Sequence, residues 1–372
     1  MKRTLLATTA ALMLTAPGPA AADPALLTMS WDEIVAQAQS EGSVNWFVWY
    51  FQPRYRELAA AFTEEFGIEV VIPEGTHQGN FDKLLAERDR ETGDIDVLAI
   101  GADRIDTFDY AAITLGPLEA VLPNAATMTD QLGGFDGNGY AWAFWGNQTG
   151  IAYDPDQIAA ADLPQTVEQL SAFLNANPGR FGLNFEGGGA GPSFIQSMAR
   201  NLAQDVDFAD GSVSDEKLAA LQPVWDWFLA HTDGYVITAS NADSLIRLSA
   251  GEFAMVPAWE DHLFTLQGEG EVDPRIAFYV PEWGAPGGGN FNVIPANAPN
   301  PAAALVFMNW VSSAEVQTRF NEIFGVVPVN TAASDAHSLV PAEQRAHSRQ
   351  WVSQPLGAEI TSAFVENVAL ER

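Results

Sequence analysis

The 372-residue chain predicts an α/β fold in about two domains. Three observations carry that expectation. Short β-like runs alternate with helical patterns along the chain, and 47% of the residues are hydrophobic, enough for a substantial core. No internal repeat, heptad pattern or low-complexity tether interrupts the alternation, so the domains are expected to be joined by strands.

Taken in order, Ser43 to Trp49 reads as a first strand. Tyr55 to Phe66 reads as an amphipathic helix, with Leu58, Ala61, Phe62 and Phe66 at helical spacing and Gly67 as its stop. Ile68 to Ile72 is a second strand, Phe81 to Arg90 a helix, and Asp94 to Ile100 a third strand ending at Gly101. This β-α-β-α-β order predicts a mostly parallel sheet whose strand ends and following loops build a site. An aromatic extended segment follows at 139–146, and then a strand at Thr149 to Tyr153. From about residue 155 to 285 the pattern is mainly helical, including Thr166 to Asn175 and Asp215 to Ala230, the latter N-capped by Ser214. The glycine cluster 284–289 precedes an apolar strand through Val293 and Ile294, and Pro301 to Trp310 is a further helix.

The first 22 residues read as a cleavable secretory signal. Lys2 and Arg3 form its basic start, Leu5 to Leu14 its apolar stretch, and Ala20 to Ala22 its small-residue cleavage site. The apolar run is far below the ~20 residues that a bilayer span needs. Zero cysteines exclude disulfides, thiolate metal sites, cysteine nucleophiles and a lipoprotein cleavage site. The net charge of −31 repels phosphate backbones and anionic lipid, which argues against nucleic-acid and membrane-surface binding.

Catalytic motifs are missing. The histidines at 77, 231, 262, 337 and 347 are scattered, and there is no His-Glu-x-x-His helix, Gly-x-Ser-x-Gly elbow, Walker loop or dinucleotide fingerprint. Glu260-Asp261-His262 is read as a solvated loop or helix start, because adjacent residues point apart. Gly187 to Gly191 lacks the Lys-Ser/Thr ending of a phosphate loop and is read as a turn ahead of a helix from Pro192 to Arg200. Tryptophan is the informative type, with eleven in the chain. Trp225, Trp227 and Trp310 on helices, and Trp46 inside a strand, read as packing. Trp49, Trp145 and Trp259 fall at strand ends, where a ring can stack on a sugar face or attract a cation.

Three ordered segments carry a resemblance. They are Glu41 to Trp49 with Phe62 to Val70, then Phe144 to Ile151, then Ser249 to Val256 with Phe278 to Gly284, Ile294 to Asn300, Phe307 to Trp310 and Gly325 to Asn330. Together the set resembles the extracellular solute-binding proteins of bacterial ABC importers, of the group that includes spermidine/putrescine-binding proteins. The resemblance implies the two-lobed type II periplasmic-binding-protein fold, each lobe a mostly parallel sheet flanked by helices, with strands crossing between lobes. Lobe 1 is then expected over residues 23–142 and 291–325, and lobe 2 over 143–290 and 326–372. It further implies a monomer without cofactor or metal. Such a protein would act in the periplasm of a Gram-negative cell, binding a small solute and delivering it to an inner-membrane ABC permease.

Carried over one residue at a time, the resemblance implicates Trp49, Gly101, Asp103, Trp145, Glu186, Trp259 and Asn290 in ligand binding. Asn290 stands where polyamine binders carry an aspartate, and Gly288 where they carry a tryptophan. A cationic amine would use Trp49, Trp145 and Trp259 as a box, with Asp103 or Glu186 as counter-charge. A sugar or polyol would use the same rings with Asn147, Asn290 and Asn292. Arg104 leaves room for a carboxylate or phosphonate ligand. An enzyme on the same fold is the remaining alternative.

Overall fold

The computed structural model describes residues 24–371, so the signal segment expected over residues 1–22 lies outside the described residues. Ten strands are labelled here: β1 (Ser43–Phe47), β2 (Glu69–Val71), β3 (Val97–Gly101), β4 (Trp142–Trp145), β5 (Thr149–Tyr153), β6 (Phe181–Leu183), β7 (Tyr235–Ile237), β8 (Met255–Trp259), β9 (Ala277–Tyr279) and β10 (Asn290–Val293). They form two five-stranded sheets, ordered β2-β1-β3-β10-β4 and β9-β5-β8-β6-β7. This is the two-lobed α/β architecture expected, with one refinement in strand direction. The strands β2, β1 and β3 are parallel, as are β8, β6 and β7, whereas β10 and β5 pair antiparallel with both of their neighbours. Those antiparallel strands border the passages between the sheets, at 146–148 and 287–289.

Local signals act as the sequence suggests in the first sheet. The helix after β1 runs Gln52–Phe66 and stops at Gly67, whose φ of 72° is readily adopted only without a Cβ. Helix His77–Glu87 precedes β3, starting four residues earlier than the apolar spacing indicates because Thr76 caps it, accepting from the Gly79 amide. In the second sheet the reading of a mainly helical stretch misses three strands. The strands β6, β7 and β9 are only three residues long. A run that short, where β6 is buried throughout, shows no alternation to read. The expected helix from Asp215 to Ala230 breaks at Leu221, with Pro223 in the first turn of the second piece.

Each lobe has its own core. Around the first sheet pack Trp46, Tyr55, Phe62, Phe144, Trp145, Phe307, Phe320 and Phe324, all buried. Around the second, Phe181, Phe194, Trp225, Phe228 and Phe364 do the same. The C-terminal segment joins the second lobe. Ser348–Arg349 pairs in parallel with Ala285–Pro286, and helix Leu356–Phe364 packs on helix Ala190–Leu202. Among the described residues no helix is long and apolar enough to cross a membrane.

Candidate ligand-binding site

A cleft of about 340 Å³ lies where the two lobes face each other. Parallel strands leave their carboxyl ends on one edge, and the residues that follow those ends form the first wall. Trp49 and Tyr50 follow β1, and Asp103 and Arg104 follow β3 in a turn closed by the Arg104 amide donating to the Gly101 carbonyl, at 3.0 Å. His77 opens its helix beside them. The opposite wall is made by the Gly187–Gly189 turn, Trp259, and Gln354, Thr361 and Ser362 of the C-terminal segment. Asn147 and Gly289 enter from the two passages between the lobes.

Two ring pairs face the cleft. Trp49 stacks on His77 with centroids 3.9 Å apart and planes within 13°. Trp259 stands 5.9 Å from Trp351, with its Nε1 donating to the Gly188 carbonyl at 3.1 Å. The His77 Nε2 accepts from the Gly101 amide at 3.4 Å. Burial holds that imidazole below its ordinary range; Asp103 pulls it up and Arg104 pushes it further down. His77 is therefore a neutral, flat surface near pH 7.

The most buried carboxyl group of the cleft lining is Asp261, only 2% exposed. Its Oδ2 accepts from Trp145 Nε1 at 3.1 Å and from Asn147 Nδ2 at 2.9 Å, while Oδ1 accepts from the His262 amide at 2.9 Å. This carboxyl group accepts from three N–H donors and still has a free lone pair on Oδ1. The Asn147 Oδ1 beside it is buried without a partner. This corner thus concentrates acceptors. Among the described residues no group of three or more His, Asp or Glu is placed to hold a metal ion.

Of the seven residues singled out from sequence, Trp49, Asp103, Trp259 and Asn290 line the cleft. Asn290 sits between Gly101 and Trp145 in the sheet register, and its Nδ2 donates to the Tyr50 hydroxyl at 2.6 Å. Gly101 contributes space rather than contact. A Cβ there would fall 2.3 Å from Asp103 Oδ1 and 3.2 Å from His77 Cε1. Trp145 corrects the expectation of a cleft platform. It is fully buried among Tyr50, Tyr55, Phe320 and Phe324, and reaches the site only through its N–H on Asp261. Glu186 is likewise displaced. Its Oε2 caps helix Asn241–Ser249 by accepting from the Asn241 amide at 3.0 Å, which ties it to that helix start outside the cleft lining.

Four other readings are sharpened. Asn292 is buried inside the first lobe, where its Oδ1 accepts from Trp46 Nε1 at 3.1 Å, so it offers nothing to a polyol. Glu260-Asp261-His262 does begin a helix, Glu260–Gly268, but Glu260 and Asp261 are buried rather than solvated. The glycine run is a turn as expected, and its helix begins at Ala190. A tryptophan cannot replace Gly288, whose φ is 121° and whose Cβ would lie 2.4 Å from Gly133 Cα. His77, Asp261, His262 and Trp351 were missed as site residues. The isolated histidines carry no spacing signal, Asp261 reads from sequence as part of a solvated helix start beside Glu260, and Trp351 lies 92 positions beyond its ring partner.

Comparison with known proteins agrees with this architecture. The family model for bacterial extracellular solute-binding proteins matches residues 57–346. A protein of Sinorhizobium fredii named as a probable ABC transporter periplasmic-binding protein is 27% identical over 222 residues, which are 59% of this chain and 57% of that relative. The spermidine/putrescine ABC transporter substrate-binding protein of Streptococcus pneumoniae superposes with a TM-score of 0.65 at 14% identity, covering 89% of this chain and 99% of the other. Iron-bound HitA of Pseudomonas aeruginosa gives 0.64 at 17% identity, covering 88% and 99%.

Proposed function

The chain belongs to the bacterial extracellular solute-binding proteins, and from that premise we propose that it is the periplasmic substrate-binding component of an ABC importer that takes a small organic amine into its interlobe cleft. The family is one of binding proteins rather than enzymes. Periplasmic residence in a Gram-negative cell and delivery to an inner-membrane permease belong to this reading and are supported by the name of the Sinorhizobium relative. Proteins of the same fold are named for polyamines and for iron, so the fold does not select the ligand.

The observation that carries the amine is the Asp261 corner. A buried carboxylate, an orphan amide oxygen on Asn147 and two aromatic faces share one cleft. An ammonium group there would be hydrogen-bonded by oxygen and attracted by the Trp49 and Trp259 ring faces. Asp261 takes the counter-charge role first considered for Asp103 or Glu186. Residues on both walls would then touch one solute, so the closed arrangement of lobes gains affinity over the open one and the population shifts toward closure. Closure changes the surface that a permease meets.

A thermal-shift screen of the purified protein against amines, polyols, sugars and organic acids tests this. Ligand at 100 times its Kd adds about 2.7 kcal/mol of stability. A raised melting temperature with amines, absent with sugars, is expected. A hit confined to neutral polyols would overturn the amine, and no hit from any class would count against the importer role.

A further inference from the structure

Opposite the acceptor corner the cleft holds a donor that the amine does not use. Arg104 lines the first wall with its side chain 23% exposed and its guanidinium 5.9 Å over the Phe81 ring; among the described residues its Nε is buried without a hydrogen-bond partner and its guanidinium makes no hydrogen bond. Among the described residues its one ion pair, from Nε to Asp103 Oδ2, is 3.9 Å long. The reason is local. Asp103 folds back over Gly101, with Oδ1 only 2.3 Å from where a Cβ would stand, and its Oδ2 comes no closer than 3.9 Å to the Arg104 Nε. The neighbouring His77 accepts a hydrogen bond on Nε2 and does not neutralise Arg104. The guanidinium is left with its fork of donors unspent at the cleft wall.

The two orphan atoms are of opposite sense, and the sheet register separates them. Gly101, Asn290 and Trp145 are side by side on three adjacent strands. Two strand spacings put the Arg104 turn roughly 10 Å from the Asn147 passage along that edge. A donor at one end and an acceptor pair at the other, with ring faces along the side, is a cleft with two electrical poles.

We propose that the solute is amphoteric, with its ammonium on Asp261 and Asn147 and a carboxylate or phosphonate on the Arg104 guanidinium. The proposal rests on the amine reading above and adds the second pole. It also explains how the protein tells such a solute from simpler cations. A chain with 48 acidic and 17 basic residues attracts every amine, so attraction alone does not select. Arg104 rejects a second ammonium at the far end by like-charge repulsion and rewards an anion there.

Calorimetric titration with four probes of matched length separates the two poles: 4-aminobutyrate, 3-aminopropylphosphonate, butyrate and 1,4-diaminobutane. At least one of the two amphoteric probes is expected to bind about tenfold or more tighter than butyrate and the diamine. Whichever of the two wins assigns the anionic group. Arg104→Ala should weaken that probe about tenfold without weakening the diamine, and Arg104→Lys should recover part of the loss. Arg104→Ala is expected to shift the melting temperature of the ligand-free protein only slightly, because among the described residues the guanidinium has only a 3.9 Å ion pair with Asp103 and a 5.9 Å contact with the Phe81 ring. Diamine binding as tight as the tighter amphoteric probe, or an Arg104→Ala variant with full amphoteric affinity, would overturn the second pole and leave the amine reading standing. Butyrate binding as tightly as 4-aminobutyrate, lost in Arg104→Ala, would overturn the amine and hence the amphoteric solute. No binding by any of the four overturns both.

Discussion

Trp145 and Trp259 end strands in the two sheets that meet at the cleft, yet one is core and the other wall. The Trp145 ring is sealed by Phe320 and Phe324 of helix Ala314–Phe324, and its N–H is used inside the protein on Asp261. Trp259 has no such cover. It holds the Gly188 carbonyl with its N–H and leaves its ring to Trp351 and the cleft. The difference teaches that a strand-end tryptophan becomes a binding surface only if no later helix packs over it.

The strongest way to break this comparison is to remove both rings in turn. Trp145→Ala should destabilise the protein by about 3–5 kcal/mol in urea unfolding, as loss of a fully buried large ring does. Trp259→Ala should stay within about 1 kcal/mol of wild type in the same experiment, because little packing is lost at a partly exposed site. Equal losses would dissolve the distinction between core and wall.

The comparison sharpens at the next residue along, Glu260, which is as buried as Trp145 although it adjoins the open Trp259. Burial pushes its carboxyl up to about 8 against the pull of Arg345, whose Nη2 lies 2.8 Å from Oε2. A carboxyl raised in the folded state binds its proton more tightly there than in the unfolded chain. Its stabilising contribution is therefore complete below the ordinary value of 4.5 and is lost as pH rises through about 8. Wild type should lose roughly 3–4 kcal/mol relative to Glu260→Gln between pH 5 and 8. Parallel pH curves for the two proteins would show that Glu260 is ionised throughout that range.

Smaller effects separate what each tryptophan does for ligand. Asp261→Asn keeps the shape of the corner but removes the charge, and should weaken an amine by roughly 30-fold, about 2 kcal/mol, in calorimetric titration. Trp259→Ala should weaken the same amine about tenfold, in line with a partly desolvated cation–π contact. Trp145→Phe, which keeps most of the packing and loses only the N–H on Asp261, should weaken it by a few-fold at most. A larger loss from Trp145→Phe than from Trp259→Ala would make the buried ring, through Asp261, the more important of the two.

Much of the first lobe is legible in the sequence because its order is local. Leu58, Ala61, Phe62 and Phe66 announce a helix, Gly67 ends it, and β3 stops at Gly101 just before the turn that carries Asp103 and Arg104. The second lobe is less so, since β6, β7 and β9 gain their partners from strands far along the chain and show no period of their own. The site divides in the same way. Trp49 stands out at its strand end and the family resemblance points to Asp103 and Asn290, whereas Asp261 becomes a site residue only when Trp145, 116 positions earlier, is brought against it.

The sequence by itself determined the α/β alternation, the strands that join the lobes, the family and the aromatic character of the cleft, because these depend on neighbours within a turn or a strand. Tertiary structure alone decided which aromatics face the solute, which carboxylate is buried beside them, and that Arg104 keeps its donors free. Each of those is a question of which distant side chain covers or pairs with another, and that depends on packing between segments rather than on spacing within one.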